Sequence, residues 1–261
     1  MVKIGVVGGS GIYDIPGFTI TEYKKMTTPF GDPSDTYRLG ELSGVKVIFL
    51  PRHGSPHHIP PHQINYRANI WGFKELGVER IISVNAVGGI SSEMNPGTIV
   101  ISDQIIDMTK GRKSTFYDSD DVVHIDFTEP YCNEMRKSIF KAGKKSGIAL
   151  MKSGTFVCVD GPRLETKAEI AFFKSIGADV VGMTVMPEAS LAREGELCFA
   201  CVAVVTNYAA GITEKRLTTT EVVEMMRRVT GQVSDLLIET FHLIPDRRVC
   251  PCKDALREAR I

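Results

Sequence analysis

Short runs of apolar and β-branched residues recur along the chain, at 3–7, 45–50, 80–84, 98–102, 155–159, 179–182 and 199–206. Runs of this length with little polar alternation read as strands buried on both faces. Between several of them the apolar spacing changes to that of a helix. Residues 65–76 carry Ala68, Ile70, Trp71, Phe73 and Leu76 and close at Gly77. A second helix opens at Pro130, sets Met135, Ile139 and Ala142 at helical spacing and stops at Gly147, and a third runs from Glu165 towards Gly177. The clearest begins at Thr218-Thr219-Thr220-Glu221, a capping-box spacing, and keeps Val222, Val223, Met226, Val229, Val233, Leu236, Leu237 and Phe241 on one stripe before Pro245. Strands alternating with helices predict a single α/β domain over 1–245, a central mixed β-sheet flanked by helices. The highly charged segment 246–261 is expected to pack loosely or at a subunit edge.

The 261 residues include 31 basic and 31 acidic side chains. No bulk field draws in nucleic acid or an anionic membrane, so a bound anion must be held by local groups and is expected to be small. No apolar run is long enough to span a bilayer, and the opening residues lack the pattern of a signal peptide, which predicts a cytoplasmic protein. Of the six cysteines, Cys158, Cys198 and Cys201 sit in apolar runs and read as small core residues. Cys250-Pro251-Cys252 admits a strained disulfide, half of a metal site, or a pair with no role.

Candidate chemistry gathers where strands end. Gly8-Gly9-Ser10-Gly11 follows the first strand; its glycines let backbone amides approach an anion and Ser10 adds a neutral donor. It lacks the third glycine of a dinucleotide loop, which counts against a nicotinamide-dependent oxidoreductase, and it lacks the Gly-Lys-Ser/Thr of a P-loop. Arg52-His53 offers a charged fork and a further donor to a dianion. The histidines at 53, 57, 58 and 62 are broken up by prolines, have no accompanying carboxylate or cysteine and match no common zinc spacing, so no metal is expected. Asn85-Ala86-Val87-Gly88-Gly89 follows the third strand, its small residues and paired glycines fitting the edge where open α/β sheets bind ligands, with a plain turn as the alternative. Glu165 opens a helix, either as a cap or as an acceptor for a ring N–H. Met183 and Thr184 follow a strand, and Asn207 offers one donor and one acceptor to a heterocycle.

As a set, Gly-Gly-Ser-Gly at 8–11, Arg52-His53-Gly54, the segment from Ile64 to Trp71, Gly-Pro-Arg at 161–163 and Gly182-Met183-Thr184 with Pro187-Glu188 resemble the methylthioadenosine phosphorylase branch of the trimeric purine nucleoside phosphorylase family. The resemblance runs from residue 1 to about 243 and implies a nucleoside phosphorylase-like, partly barrel-like sheet. It also implies phosphate attack on the anomeric carbon of a purine nucleoside, with inorganic phosphate as co-substrate and no cofactor. By motif, Ser10, Arg52, His53, Asn85, Ala86 and Thr184 resemble the phosphate site and Met183 the ribose contact. Asn207, with Ser10 and His53, is expected to be catalytic. Base choice is assigned to Glu165, Asn207, Tyr208 and Ala209. Where the methylthioadenosine enzymes carry Thr-Asp-Tyr-Asp, this chain has Thr206-Asn207-Tyr208-Ala209, and Leu164-Glu165 resembles the 6-oxopurine enzymes. The expected substrates are therefore inosine and guanosine, with S-methyl-5′-thioinosine as the alternative, methylthioadenosine less so, and Thr220 as the nearest match in the 5′ pocket. A non-catalytic nucleoside binder would have no need of Arg52 and His53 beside Ser10. Relatives form trimers or dimers of trimers and borrow residues across subunits, with the region around His124 the expected contributor here. Tail Cys-x-Cys pairs of some thermophilic relatives resemble Cys250 and Cys252.

Overall fold

The computed structural model describes residues 4–9, 15–119 and 121–261; Ser10 and Gly11 lie outside them. Along the chain run β1 (Ile4–Gly8), β2 (Phe18–Lys24), β3 (Tyr37–Leu42), β4 (Val45–Pro51), α1 (Tyr66–Glu75), β5 (Arg80–Gly89), β6 (Ile99–Ile101) and β7 (Gln104–Asp107). After them come α2 (Asn133–Lys145), β8 (Leu150–Met151), β9 (Thr155–Cys158), α3 (Lys167–Ser175), β10 (Val180–Gly182), α4 (Val185–Glu194), β11 (Cys198–Tyr208) and α5 (Thr219–Leu243). All strands join one mixed sheet in the order β2-β3-β4-β1-β5-β10-β9-β7, and it branches at β5, which also pairs with β11, continued by β6 and β8.

The period of a strand divides the core. On β11, Cys198, Ala200, Val202 and Val204 pack with α2 and α5, while Phe199, Cys201, Ala203 and Val205 pack with α1 and α4. An uninterrupted apolar run is what such a strand requires, since both of its faces are covered. Each predicted helix is present. α1 is capped by the Asn65 side chain on the Ala68 amide, and α3 by a reciprocal capping box between Thr166 and Glu169. The cap of α3 is thus Thr166, and Glu165 lies one residue outside the helix, free of a capping role.

Two other expectations change. Residues 85–89 do not turn: β5 runs on to Gly89, because β11 pairs with it along its whole length. The segment 246–261 is not loose. Cys252 and Ala259 are buried, the His124 amide donates to the Ala259 carbonyl at 2.8 Å, and Val123 bridges Arg260. No helix among the described residues is long and apolar enough to cross a membrane.

Candidate active site

β5 changes partners partway along one flank. Its residues Arg80–Val84 pair in parallel with β1, and Gly88 and Gly89 pair antiparallel with β10. Between these stretches, residues 85–87 have no strand on that flank among the described residues. The Val84 carbonyl on this flank accepts from Arg52 Nη1 at 3.2 Å. Backbone groups alternate sides along a strand, so the Ala86 amide faces the same flank two residues on. Ala86 is only half-buried and lines the cleft, so an amide there with no strand partner among the described residues can donate to a ligand.

A cleft of about 640 Å³ opens at this seam. Its inner end is formed by Gly9, Arg52, His53, Asn85, Ala86 and Thr184. The opposite end carries Glu165, Thr206, Asn207 and Ala209, and Leu217, Thr219, Val222 and Val223 form a largely apolar wall. Met183 lies between, its sulfur against Gly161, whose φ of +64° and lack of a Cβ admit the contact.

At the inner end the side chains form one chain of hydrogen bonds. Arg52 and Glu188 are 1% and 0% exposed, and the guanidinium grips both carboxylate oxygens, Nε on Oε1 and Nη2 on Oε2 at 3.1 Å. The Ser83 hydroxyl donates to Glu188 at 2.9 Å and accepts from Arg52 at 2.7 Å and from Asn85 at 2.9 Å. Asn85 also donates to the Cys201 sulfur at 3.2 Å and accepts from the Thr184 hydroxyl at 2.8 Å. Burial disfavours the Arg52 charge, but the Glu188 carboxylate more than compensates and raises its pKa.

These bonds correct two expectations. The fork of Arg52 is closed on Glu188, leaving one Nη1 hydrogen without a partner among the described residues; a Cβ on Gly9 would lie 2.6 Å from that nitrogen, so glycine there keeps its face open. The Asn85 amide belongs to the scaffold and does not point a free donor at an anion. Sequence reasoning passed over Ser83 and left Glu188 without a partner, since nothing in their spacing links β5 to α4.

His53 is also changed. Its Nδ1 lies 2.8 Å from the Ile59 carbonyl, which can only accept, so the proton sits on Nδ1 and Nε2 is an acceptor. Burial, and then the Arg52 charge, pull its pKa down to about 3. The imidazole is therefore neutral at physiological pH and is no charged donor. Its ring stacks on His57 with centroids 4.2 Å apart.

At the other end, β11 carries a bulge between Val205 and Asn207, a device that re-aims side chains at a strand end. The Thr206 hydroxyl lies 2.9 Å from Asn207 Oδ1, and Asn207 Nδ2 donates to the Tyr208 carbonyl at 2.8 Å. A carbonyl cannot donate, so the amide orientation is fixed, with one N–H and one lone pair left over. Glu165 is half-buried on the wall, and desolvation raises its pKa above the usual carboxylate range.

Tyr208 does not line the cleft itself but an adjoining pocket that shares Thr206, Asn207 and Leu217 with it, and its hydroxyl donates to Asn95 at 2.8 Å. Nor does Thr220, which is exposed: Thr219, Val222 and Val223 share one helix face at spacings of three and four, and Thr220 is turned away by the helical period. His124 is exposed and outside the cleft of its own chain. Arg112, a residue without a sequence signal, ties the walls together through the carbonyls of Met183, Met186, Val159 and Asp160 at 2.6–3.3 Å.

The family model of the phosphorylase superfamily matches residues 3–242. The probable S-methyl-5′-thioinosine phosphorylase of Thermodesulfovibrio yellowstonii is 52% identical, the match covering 99% of this chain and 97% of that protein. The 6-oxopurine nucleoside phosphorylase of Pyrococcus furiosus is 51% identical over 99% of both chains. Methylthioadenosine phosphorylase from Schistosoma mansoni in complex with adenine superposes with a TM-score of 0.95 at 34% identity, covering 100% of this chain and 99% of that one. The chain belongs to the phosphorylase superfamily.

Proposed function

We propose that this phosphorylase cleaves 6-oxopurine nucleosides, with inorganic phosphate as co-substrate and no cofactor, to the free base and ribose 1-phosphate. The reading has phosphate at the β5 seam beside the Ala86 amide and the remaining Arg52 N–H, together with Ser10, which lies outside the described residues; Thr184, whose hydroxyl donates to Asn85, joins them by turning that hydroxyl to the anion. Because Glu188 neutralises Arg52 and His53 is uncharged, the anion is held chiefly by dipoles. His53 Nε2, neutral, accepts a hydrogen bond from the P–O–H of the phosphate.

In the reaction a phosphate oxygen bonds to C1′ while the C1′–N9 bond breaks and its electron pair passes to the purine. Met183 supports the sugar. Charge growing on the base is relieved by protonation at N7 with a proton from solvent, while the phosphate releases its own proton in becoming the ribose 1-phosphate dianion, so the protons balance. A group fixed in advance at N7 stabilises the transition state more than the ground state. The lone pair left on Asn207 Oδ1 accepts from N7–H, and its remaining Nδ2–H donates to O6. Glu165 accepts N1–H.

The fixed orientation of Asn207 is the observation that carries the base assignment. An adenine presents an amino donor where this amide also donates, and it has no N1–H for Glu165. Leaving such groups unpaired costs about 1–3 kcal/mol, or roughly ten- to a hundred-fold in specificity. The relatives named 6-oxopurine and S-methyl-5′-thioinosine phosphorylase are consistent with that base.

A second reading concerns the sugar. With Leu217, Val222 and Val223 in place of a charged or imidazole group on the wall, the 5′ pocket suits an apolar substituent, and S-methyl-5′-thioinosine is the substrate it favours. We read the assembly as a trimer or a pair of trimers, with the exposed His124 segment reaching a neighbour's cleft. Specificity constants for inosine, guanosine, S-methyl-5′-thioinosine, adenosine and methylthioadenosine in phosphate buffer test both readings. Adenosine turned over as well as inosine would sink the base assignment, and no phosphate dependence would sink phosphorolysis.

A further inference from the structure

Four cysteines distant in sequence meet well away from the cleft. Cys132 precedes α2, Cys198 begins β11, and Cys250 and Cys252 lie on either side of Pro251 in the C-terminal segment. All four are buried free thiols, and their sulfurs lie within 4.8 Å of one another, with Cys198 and Cys250 at 3.3 Å. At a zinc–sulfur distance of about 2.3 Å, a tetrahedron of four sulfurs has edges of roughly 3.8 Å. The cluster therefore has the size of a tetrathiolate shell before any ion enters it. Core packing accounts for Cys158 and Cys201, which have other neighbours, but it gives no reason for four sulfurs to be one another's neighbours.

We infer that Cys132, Cys198, Cys250 and Cys252 form a structural zinc site. A tetrahedral set of sulfur ligands alone selects zinc among the common divalent ions, and a shell with no open position assigns the metal to stability, not to chemistry. Binding releases the four thiol protons to solvent and leaves a complex of net charge −2. The positive end of α2 begins at Cys132 and offsets part of that charge. The ion would fasten the segment after α5 to β11 and α2. That segment in turn pairs with residues 122–124, His124 among them.

The inference reverses the expectation of no metal. That expectation came from the histidine-rich loop, whereas only Cys250 and Cys252 of the true set are neighbours in sequence. The site is independent of the phosphorylase chemistry, so neither reading depends on the other.

Full-length protein made in zinc-supplemented medium and desalted against a weak chelator should contain one zinc per chain by elemental analysis. Protein made in cobalt medium should show the intense visible bands and near-ultraviolet sulfur-to-cobalt charge transfer of a tetrahedral tetrathiolate site, a result that depends on no variant. Cys250→Ser and Cys252→Ser should each lower metal content at least about fivefold, and Cys158→Ser should leave it at one per chain. Zinc below roughly a tenth of an ion per chain together with no cobalt bands overturns the site. So does a mass for the unreduced, alkylated chain showing these four cysteines as disulfides, and one iron per chain overturns the choice of metal.

Discussion

Arg52 and Glu188 face each other across the cleft floor as a bidentate ion pair that is completely buried, tying the end of β4 to α4. Both side chains are almost wholly removed from solvent, and apart from Ser83 and the Val84 carbonyl each charge is compensated by the other. Glu188→Gln should destabilise the protein by about 3–5 kcal/mol, because it leaves the guanidinium uncompensated in a dry site. Urea unfolding of the two proteins at one pH measures this; a change under 1 kcal/mol would show that water reaches the pair.

The depressed pKa of His53 has a stability consequence with a definite sign. An unfolded histidine takes up a proton below about pH 6.5, whereas the native one does so only near 3. Between those values the unfolded state holds more protons, so stability rises with pH and is lost as pH falls from about 6.5 towards 3, by a few kcal/mol in all. His53→Asn keeps a donor for the Ile59 carbonyl and removes the titration. The expected result is a pH slope of unfolding free energy lower by about one proton over that range.

Glu165 titrates above an ordinary glutamate because the cleft wall desolvates it. As the proposed acceptor of N1–H it must be ionised, so the acid limb of kcat/KM for inosine should lie above about pH 4.3, the unperturbed glutamate value. Glu165→Gln should abolish that limb, lower kcat/KM for inosine roughly ten- to a hundred-fold and leave adenosine nearly unchanged. Equal losses for both nucleosides would mean that the side chain shapes the wall and does not read the base.

Asn207→Ala separates chemistry from packing. Removal of the proposed N7 partner should lower kcat on the order of a hundred- to a thousand-fold. The side chain's internal bonds are to Thr206 and Tyr208, at the surface end of β11, so stability should change by only about 1 kcal/mol. A large fall in Tm with a small fall in kcat would make the residue structural.

On α5, Val222→Thr exchanges a methyl group for a hydroxyl on the face that lines the cleft. The ratio of kcat/KM for inosine over S-methyl-5′-thioinosine should rise about tenfold. An unchanged ratio would place the 5′ group on a different wall.

The strands most legible in the sequence are those buried on both faces, such as β1 and β11, where an unbroken apolar run has no competing explanation. β2 is hidden because it lies at the edge of the sheet and exposes Glu22, Tyr23 and Lys24 in succession. α4 is hidden for the opposite reason. It is buried all round, so Glu188, Arg193 and Glu194 break any apolar stripe, and Pro187 stands where a helix would be doubted. At the site, residue types pointed to Glu165, Asn207 and the inner-end cluster. Spacing along the chain could not tell that Arg52 and Asn85 are held by Glu188 and Ser83, because those partners come from elements linked only by sheet pairing. Thr220 is displaced for a simpler reason: one residue of rotation on a helix moves a side chain to another face.

The change of partners along β5 gives the sheet a property that a continuous ladder lacks. Where β1 stops and β10 has not begun, the backbone at Ala86 keeps a bonding direction that no strand among the described residues uses. Recognition can then rest on the main chain, which no side-chain substitution deletes. Neighbouring side chains remain free to vary what the enzyme accepts, while the anchor they surround is part of the sheet.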